Sequence, residues 1–479
     1  MQLEQGTVLG RCDDLVSTFH AIPYAAPPVG MLRFEPPAPA TPWVGERDCT
    51  VAGAVAPQAP SRLRVVMGDF TAPQSEDCLT LTIWTPSGGK RSKPVLAWLH
   101  GGAFLTGGGG IDIYSGETLA REGDVVVVGI NYRLGALGFL HYPGVTNGNM
   151  GLLDQKAALE WIQKNIANFG GDPALVTLCG QSAGAASIAH LLTMKAEPRF
   201  RRCILQSAPL GLEALPPQDA TTNAEVFFRE LGVEPGAADF RQQLNAATAS
   251  EIVAAQNATM IKRAQDLRLK PGEQYLPFRP VSDGAILPLD NAAAFDAAAA
   301  RRDVLIGTTR EEYGSFFAFD PQIQSLTSVP LPESLVRRLK GRRPGGTAAD
   351  LLGDYISEKA FFAPSLRWAE QAAAAGRRAF VYSFDWQSPG RRLGACHCLE
   401  LPFVFGTWNA FSRAPMLADA DIGRAQKIGA SMRAAWLGFV THGDPSVAEI
   451  PRWPAFGSAS PEIMLIGELF EAVNAPRFN

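Results

Sequence analysis

Short, unbroken apolar runs recur along the chain, separated by stretches whose apolar residues return at helical spacing. The runs fall at residues 94–99, 124–131, 175–179, 202–206, 304–307 and 379–385. A strand with one wet face alternates apolar and polar, whereas one covered on both faces reads as continuously apolar. These six runs therefore predict a mostly parallel central sheet with helices on both faces. Residues 154–167 predict one such helix, with Ala157, Ala158, Trp161, Ile162 and Ile166 on one side and Lys156, Glu160, Gln163 and Lys164 on the other. Gly170-Gly171-Asp172-Pro173 then punctuates the turn into the next strand. Residues 183–194 and the alanine-rich 292–300 also read as helices. No Ser/Gly-rich linker or internal repeat divides the chain. The expectation is one α/β domain over 1–479 with long insertions, mainly helical between about 216 and 375.

Charge and cysteine content narrow the function classes. Lys plus Arg (43) against Asp plus Glu (47) gives a net charge of −4 with no long basic run, which speaks against nucleic acid or an anionic membrane surface as a partner. No apolar run is long enough to span a bilayer. Residues 1–6 carry neither the basic nor the apolar region of a secretory signal, so a cytoplasmic protein is expected. Seven cysteines scattered along the chain fit reduced thiols rather than a disulfide framework. Cys396-His397-Cys398 has no second Cys/His cluster to complete a tetrahedral metal site, and its two cysteines read as packing residues.

The sharpest chemical signal is Gly180-Gln181-Ser182-Ala183-Gly184, after one predicted strand and before one predicted helix. A serine on such a strand-to-helix turn is lifted above the sheet edge, and the helix N-terminus favours developing negative charge. A second signal, His100-Gly101-Gly102-Ala103-Phe104, directly follows the run at 94–99. Small residues there let backbone N–H groups point into a site, as an acyl-transfer intermediate requires. His100 itself is expected to brace that loop. Of the other histidines, His397 lies in a loop-like segment late in the chain, as the hydrolase order Ser…Asp/Glu…His demands, while His20, His141, His190 and His442 suggest no proton transfer. The supporting acid has several candidates: Glu311, Glu312, Asp283 in a setting that reads first as an Asp-Gly turn, and Glu400 close to His397.

Taken together these residues resemble the type-B carboxylesterase/lipase family of the α/β-hydrolase superfamily, over nearly the whole chain. The match begins with Phe19-His20-Ala21-Ile22-Pro23-Tyr24 and Ser75-Glu76-Asp77-Cys78-Leu79. It continues through Asn131-Tyr132-Arg133-Leu134-Gly135 and Asn168-Phe169-Gly170-Gly171-Asp172-Pro173 to Glu400-Leu401-Pro402-Phe403-Val404-Phe405-Gly406 and Gly443-Asp444-Pro445. The resemblance implies an α/β-hydrolase fold and selects Glu312, the second acid of Thr309-Arg310-Glu311-Glu312, to support His397, leaving Glu311 for solvent or a neighbouring loop. It implies oxyanion donors at Gly102, Ala103 and Ala183, and a serine behind the triad at Ser207. Gln181 departs from the glutamate usual beside the nucleophile, which disfavours cationic substrates. The cysteine that secreted relatives pair with the equivalent of Cys78 would fall near Ala56, and Cys49 is out of register with it.

The chain is thus expected to hydrolyse small neutral carboxylic esters through an acyl-enzyme, without metal or organic cofactor. The same machinery would serve a lipase, an amidase or a carbamate hydrolase. A purely binding protein would have no need of all three triad residues and the glycine loop. Oligomeric state and the physiological ester are not encoded in any motif.

Overall fold

The computed structural model describes residues 1–13, 15–88, 92–270, 272–390, 393–457 and 461–476. Its centre is an eleven-stranded sheet. The spatial order is Phe470–Asn474, Glu462–Ile466, Ala379–Phe384, Asp303–Thr309, Arg202–Gln206, Gly171–Gln181, Lys93–Leu99, Val126–Ile130, Thr80–Pro86, Val16–Pro23 and Arg11–Cys12. From Glu462–Ile466 to Val126–Ile130 every pairing is parallel. The pairings outside that span are antiparallel. All six predicted strands are present, and they form six of the parallel strands.

Consecutive residues of the central strands serve two separate cores, which is why their sequences are apolar throughout. Val95, Ala97 and Leu99 join one core with Ile188 and Leu191 of the helix Ala183–Thr193 and Trp368 of Ala363–Ala374. Leu96 and Trp98 join the other with Met432 and Trp436 of the helix Ile422–His442. Fully burying such side chains supplies about 1.5–3 kcal/mol each. No helix among the described residues is long and apolar enough to cross a membrane.

The helix expected at 154–167 begins earlier, at Met150, and closes at Asn165 into a short 3-10 turn, Ile166–Phe169. The alanine-rich stretch is the helix Asn291–Ala299. Between the strands Arg202–Gln206 and Asp303–Thr309 run Pro217–Leu231, Phe240–Ala246 and Ala249–Asp266. After Asp303–Thr309 come Glu333–Arg342 and Ala348–Ser357. Capping boxes at Thr248/Glu251 and Thr347/Asp350 start two of these helices.

One buried ion pair joins the site end of the sheet to a covering helix. Arg133, just beyond Val126–Ile130, gives its backbone N–H, Nε and a terminal nitrogen to Asp154 at 3.0, 2.8 and 2.7 Å, and another nitrogen to the Glu35 carbonyl. The two side chains are 3% and 0% exposed. Removing one partner strands the other charge in a low dielectric. Asp154→Ala should therefore lower unfolding free energy by about 3–5 kcal/mol in urea titration, whereas an exposed pair such as Arg121–Glu117 should change it by less than ~1 kcal/mol.

Candidate active site

The strand Gly171–Gln181 and the helix Ala183–Thr193 meet at Ser182, with no residue between them. Ser182 has φ +54° and ψ −123°, a backbone state that L-residues rarely adopt. Its N–H donates to the Gln206 carbonyl at 2.9 Å, fixing the turn against the next strand. Glycine is required on both sides. A Cβ on Gly184 would collide with the Leu99 carbonyl, and one on Gly180 would sit 2.6 Å from the Gly184 carbonyl carbon.

The glycine loop leaves the neighbouring strand, Lys93–Leu99, and turns with φ +113° at Gly102, +57° at Ala103 and +62° at Phe104. His100 stacks on Tyr132, with ring centroids 4.4 Å apart, and its Nδ1–H donates to the Gly101 carbonyl at 2.8 Å. Burial pushes its pKa down to about 4, so the ring is a neutral brace. Tyr132 closes the arrangement by donating to the His100 carbonyl at 2.7 Å.

His397 is 2% exposed. Its Nδ1 pairs with Glu312 Oε2, while Glu312 Oε1 accepts the Thr309 N–H at 2.9 Å. The ring lies between Phe316 and Phe361, at 5.6 and 5.5 Å, and its carbonyl accepts from Ser315 Oγ. Burial opposes the imidazolium, but Cys398 and the Glu312 carboxylate outweigh it and hold the His397 pKa well above the usual value. Nε2 faces the Gln181 amide nitrogen at 3.3 Å, and the same amide reaches Cys398 Sγ at 3.3 Å. Among the described residues Ser182 Oγ makes no hydrogen bond to His397 in this conformation.

Ser182, His397, Gly101, Gly102, Ala103 and Gln181 line one cavity of about 370 Å³. Residues of the 60–72 segment, Ile111, Ile113 and Tyr114, and Gln256, Asn257 and Met260 of the helix Ala249–Asp266 also line it. Ala183 starts the helix behind the serine. Ser207 follows the strand Arg202–Gln206 with φ +47°, buried, its hydroxyl without a partner, and it does not line the cavity.

The other candidate acids fall elsewhere. Asp283 Oδ1 accepts the N–H groups of Ala285, Ile286 and Leu287, closing its own turn. Glu400 is fully buried but bonds neither His397 nor Glu312. Burial first and the Glu312 charge second push it up to about 7. Glu311 does not face solvent: it is buried against the loop that carries His397.

Two features had no clear sequence signal. Cys396 is a packing residue, as expected, but Cys398 also lines the cavity and takes φ +74°. Phe316 and Phe361, the latter within the π-turn Glu358–Phe362, come from segments with no motif of their own. Among the described residues no two cysteines are joined in a disulfide.

A profile of the Carboxylesterase family matches residues 1–338 and 337–477. The chain is 39% identical over 455 residues to a probable N-octanoylanthranilate hydrolase of Rhodococcus erythropolis, covering 94% of this chain and 93% of that one. It is 34% identical to the para-nitrobenzyl esterase of Bacillus subtilis, covering 99% and 96%. The crystal structure of the Geobacillus stearothermophilus carboxylesterase EST55 superposes with a TM-score of 0.85 at 34% identity, covering 99% of this chain and 97% of that one. The sheet, the elbow and these matches agree: the chain belongs to the carboxylesterase family and is a carboxylic-ester hydrolase of the α/β-hydrolase fold.

Proposed function

We propose that this carboxylesterase works through Ser182 as nucleophile, His397 as general base and Glu312 as supporting acid, on small neutral esters. The observation that carries the reading is the buried Glu312–His397 pair beside an elbow serine that lines the same cavity. With Nδ1–H given to Glu312, Nε2 is left as the acceptor a general base needs. On substrate binding Nε2 exchanges the Gln181 amide for Ser182 Oγ; catalytic hydrogen bonds are often loose before substrate arrives. His397 then takes the serine proton as Oγ attacks the ester carbonyl. The N–H groups of Gly102, Ala103 and Ala183 hold the oxyanion. His397 returns the proton to the leaving alcohol and next activates water, which releases the acid and restores Ser182. Every proton is carried by the chain's own residues, so no cofactor or metal is required.

Three finer readings accompany this one. The uninterrupted sheet supports 1–479 as a single domain. The absence of a disulfide among the described residues suits a cytoplasmic enzyme. The N-octanoylanthranilate of the Rhodococcus relative's name carries its acyl group on nitrogen, which favours amide cleavage as a second activity of the same machinery.

A fluorophosphonate should label the Ser182 peptide, and Ser182→Ala should abolish labelling and cut kcat by about a million-fold with the fold retained by circular dichroism. Glu312→Gln should cost roughly 10⁴-fold. An active alanine variant would remove Ser182 from the mechanism.

The base must be neutral to accept a proton, and its pKa is raised, so activity is present above that pKa and lost as pH falls through it. The acid limb of kcat/KM should therefore lie above the ordinary imidazole value of 6.5. A limb below 6.5 would contradict the pairing.

Gln181 places no charge beside the serine. Choline esters should be turned over no better than neutral esters of equal size. A strong preference for the cation that salt weakens would show an acidic group at work in the pocket.

A further inference from the structure

Two consecutive carboxylates leave the end of the strand Asp303–Thr309, and the mechanism uses only Glu312. Glu311 is 7% exposed, a costly position for a charge unless it is neutralised and fully hydrogen-bonded. Both conditions are met, and the partners are telling. Oε2 accepts the backbone N–H of Ala395 at 2.7 Å and the Gln387 amide at 3.2 Å. Oε1 accepts from Arg343 at 2.9 Å and lies 3.3 Å from Arg310 Nε. The Glu311 N–H itself donates to the Ala395 carbonyl at 2.9 Å, and a parallel bridge pairs Glu311 with Cys396. Ala395 is thus gripped at both its N–H and its C=O, two residues before His397.

The loop closes over this carboxylate at Gly394, φ +61°, where a Cβ would stand 2.8 Å from Glu311 Oε2. Arg343 caps the helix Glu333–Arg342, and its other terminal nitrogen reaches Asp354 at 3.1 Å on the helix Ala348–Ser357. Arg310 in turn reaches Asp385 at 3.4 Å. The base-bearing loop is therefore tied through one buried carboxylate to the helical region beyond the sheet. A catalytic side chain must be held to within about half an ångström by the groups around it. Glu312 bonds the ring of His397, whereas Glu311 bonds the backbone two residues before it.

We propose that Glu311 is a positioning residue of the ester-hydrolysing site: neutralised by Arg343 and Arg310, it pins Ala395 so that His397 can meet Glu312 and Ser182 together. This rests on the mechanism above, because the loop it holds matters only if His397 is the base.

The test uses the full chain with Glu311→Ala, Glu311→Gln and Arg343→Met, a neutral p-nitrophenyl ester, and the rate of fluorophosphonate labelling. Misplacing a catalytic group by about an ångström costs on the order of 100-fold. Glu311→Ala should lower kcat by about that factor with KM within about threefold, and slow labelling of Ser182 in proportion. Glu311→Gln keeps an acceptor for the Ala395 N–H and should recover to within about tenfold of the parent, while Arg343→Met should cost a few-fold, roughly fivefold. Combining Arg343→Met with Glu311→Ala should add little to Glu311→Ala alone, since both act through one group. An ion pair serving stability alone would lower Tm and leave kcat and labelling unchanged; that result in folded Glu311→Ala overturns the proposal. Should Glu311→Ala fail to fold, unchanged kcat and labelling in both remaining variants overturn it equally. Failure of the parent enzyme to label at Ser182 would instead overturn the mechanism beneath it.

Discussion

The site depends on a junction without spare volume. Between the strand Gly171–Gln181 and the helix Ala183–Thr193 the backbone reverses over one residue, and the helix start presses against the Leu99 carbonyl where only glycine fits. That approach is possible because Gly180 pairs with Leu99 on one side and with Leu205 on the other. The same register brings the end of Lys93–Leu99, and so the glycine loop, level with the serine. Ser182 and the glycine loop are thus neighbours because three parallel strands stop together, as ligand sites at the carboxyl ends of open α/β sheets generally arise.

The carboxylates behind His397 are sorted by what surrounds them. Glu312 is buried but accepts a backbone N–H on one oxygen and the imidazole on the other. Glu400, equally buried, is pushed up to about 7 by its burial first and by the Glu312 charge second. A like charge nearby disfavours ionisation, so the Glu312 carboxylate makes the ionised form of Glu400 harder to reach. Position alone, three residues from His397, would have favoured Glu400.

Much of this was legible in the chain, and the gaps have physical reasons. The central strands declared themselves because both of their faces are covered. Val16–Pro23 and Thr80–Pro86 mix threonine and serine with apolar residues and so give no unbroken run, whereas Ile463–Ile466 is such a run, only four residues long, and is absent from the six predicted strands. Gly180-Gln181-Ser182-Ala183-Gly184 was readable because its geometry is local, fixed by glycines within two residues of the serine. The Glu312–His397 pair spans 85 positions, and no spacing rule reaches that far; family resemblance chose between the two glutamates. The burial of Glu311 was out of reach for the same reason, since its partners Ala395, Gln387 and Arg343 lie 32 to 84 positions away. Cys398 packs in the core as expected, but nothing in the sequence marks its backbone as left-handed or the residue as lining the cavity.

The adjacency of Glu311 and Glu312 also governs which changes of chain length this enzyme can survive. Identical side chains, one peptide unit apart, hold two ends of the same loop, one by its backbone and one by its imidazole. An inserted or deleted residue between Thr309 and Tyr313 would leave the composition of this corner almost untouched yet put one or both carboxylates out of register with their partners. The helical excursion after Asp303–Thr309 is tied to the same site, through Arg343 at Glu311 and Phe361 at the His397 ring. Changes of length there are therefore tolerable only where they leave those two contacts in place.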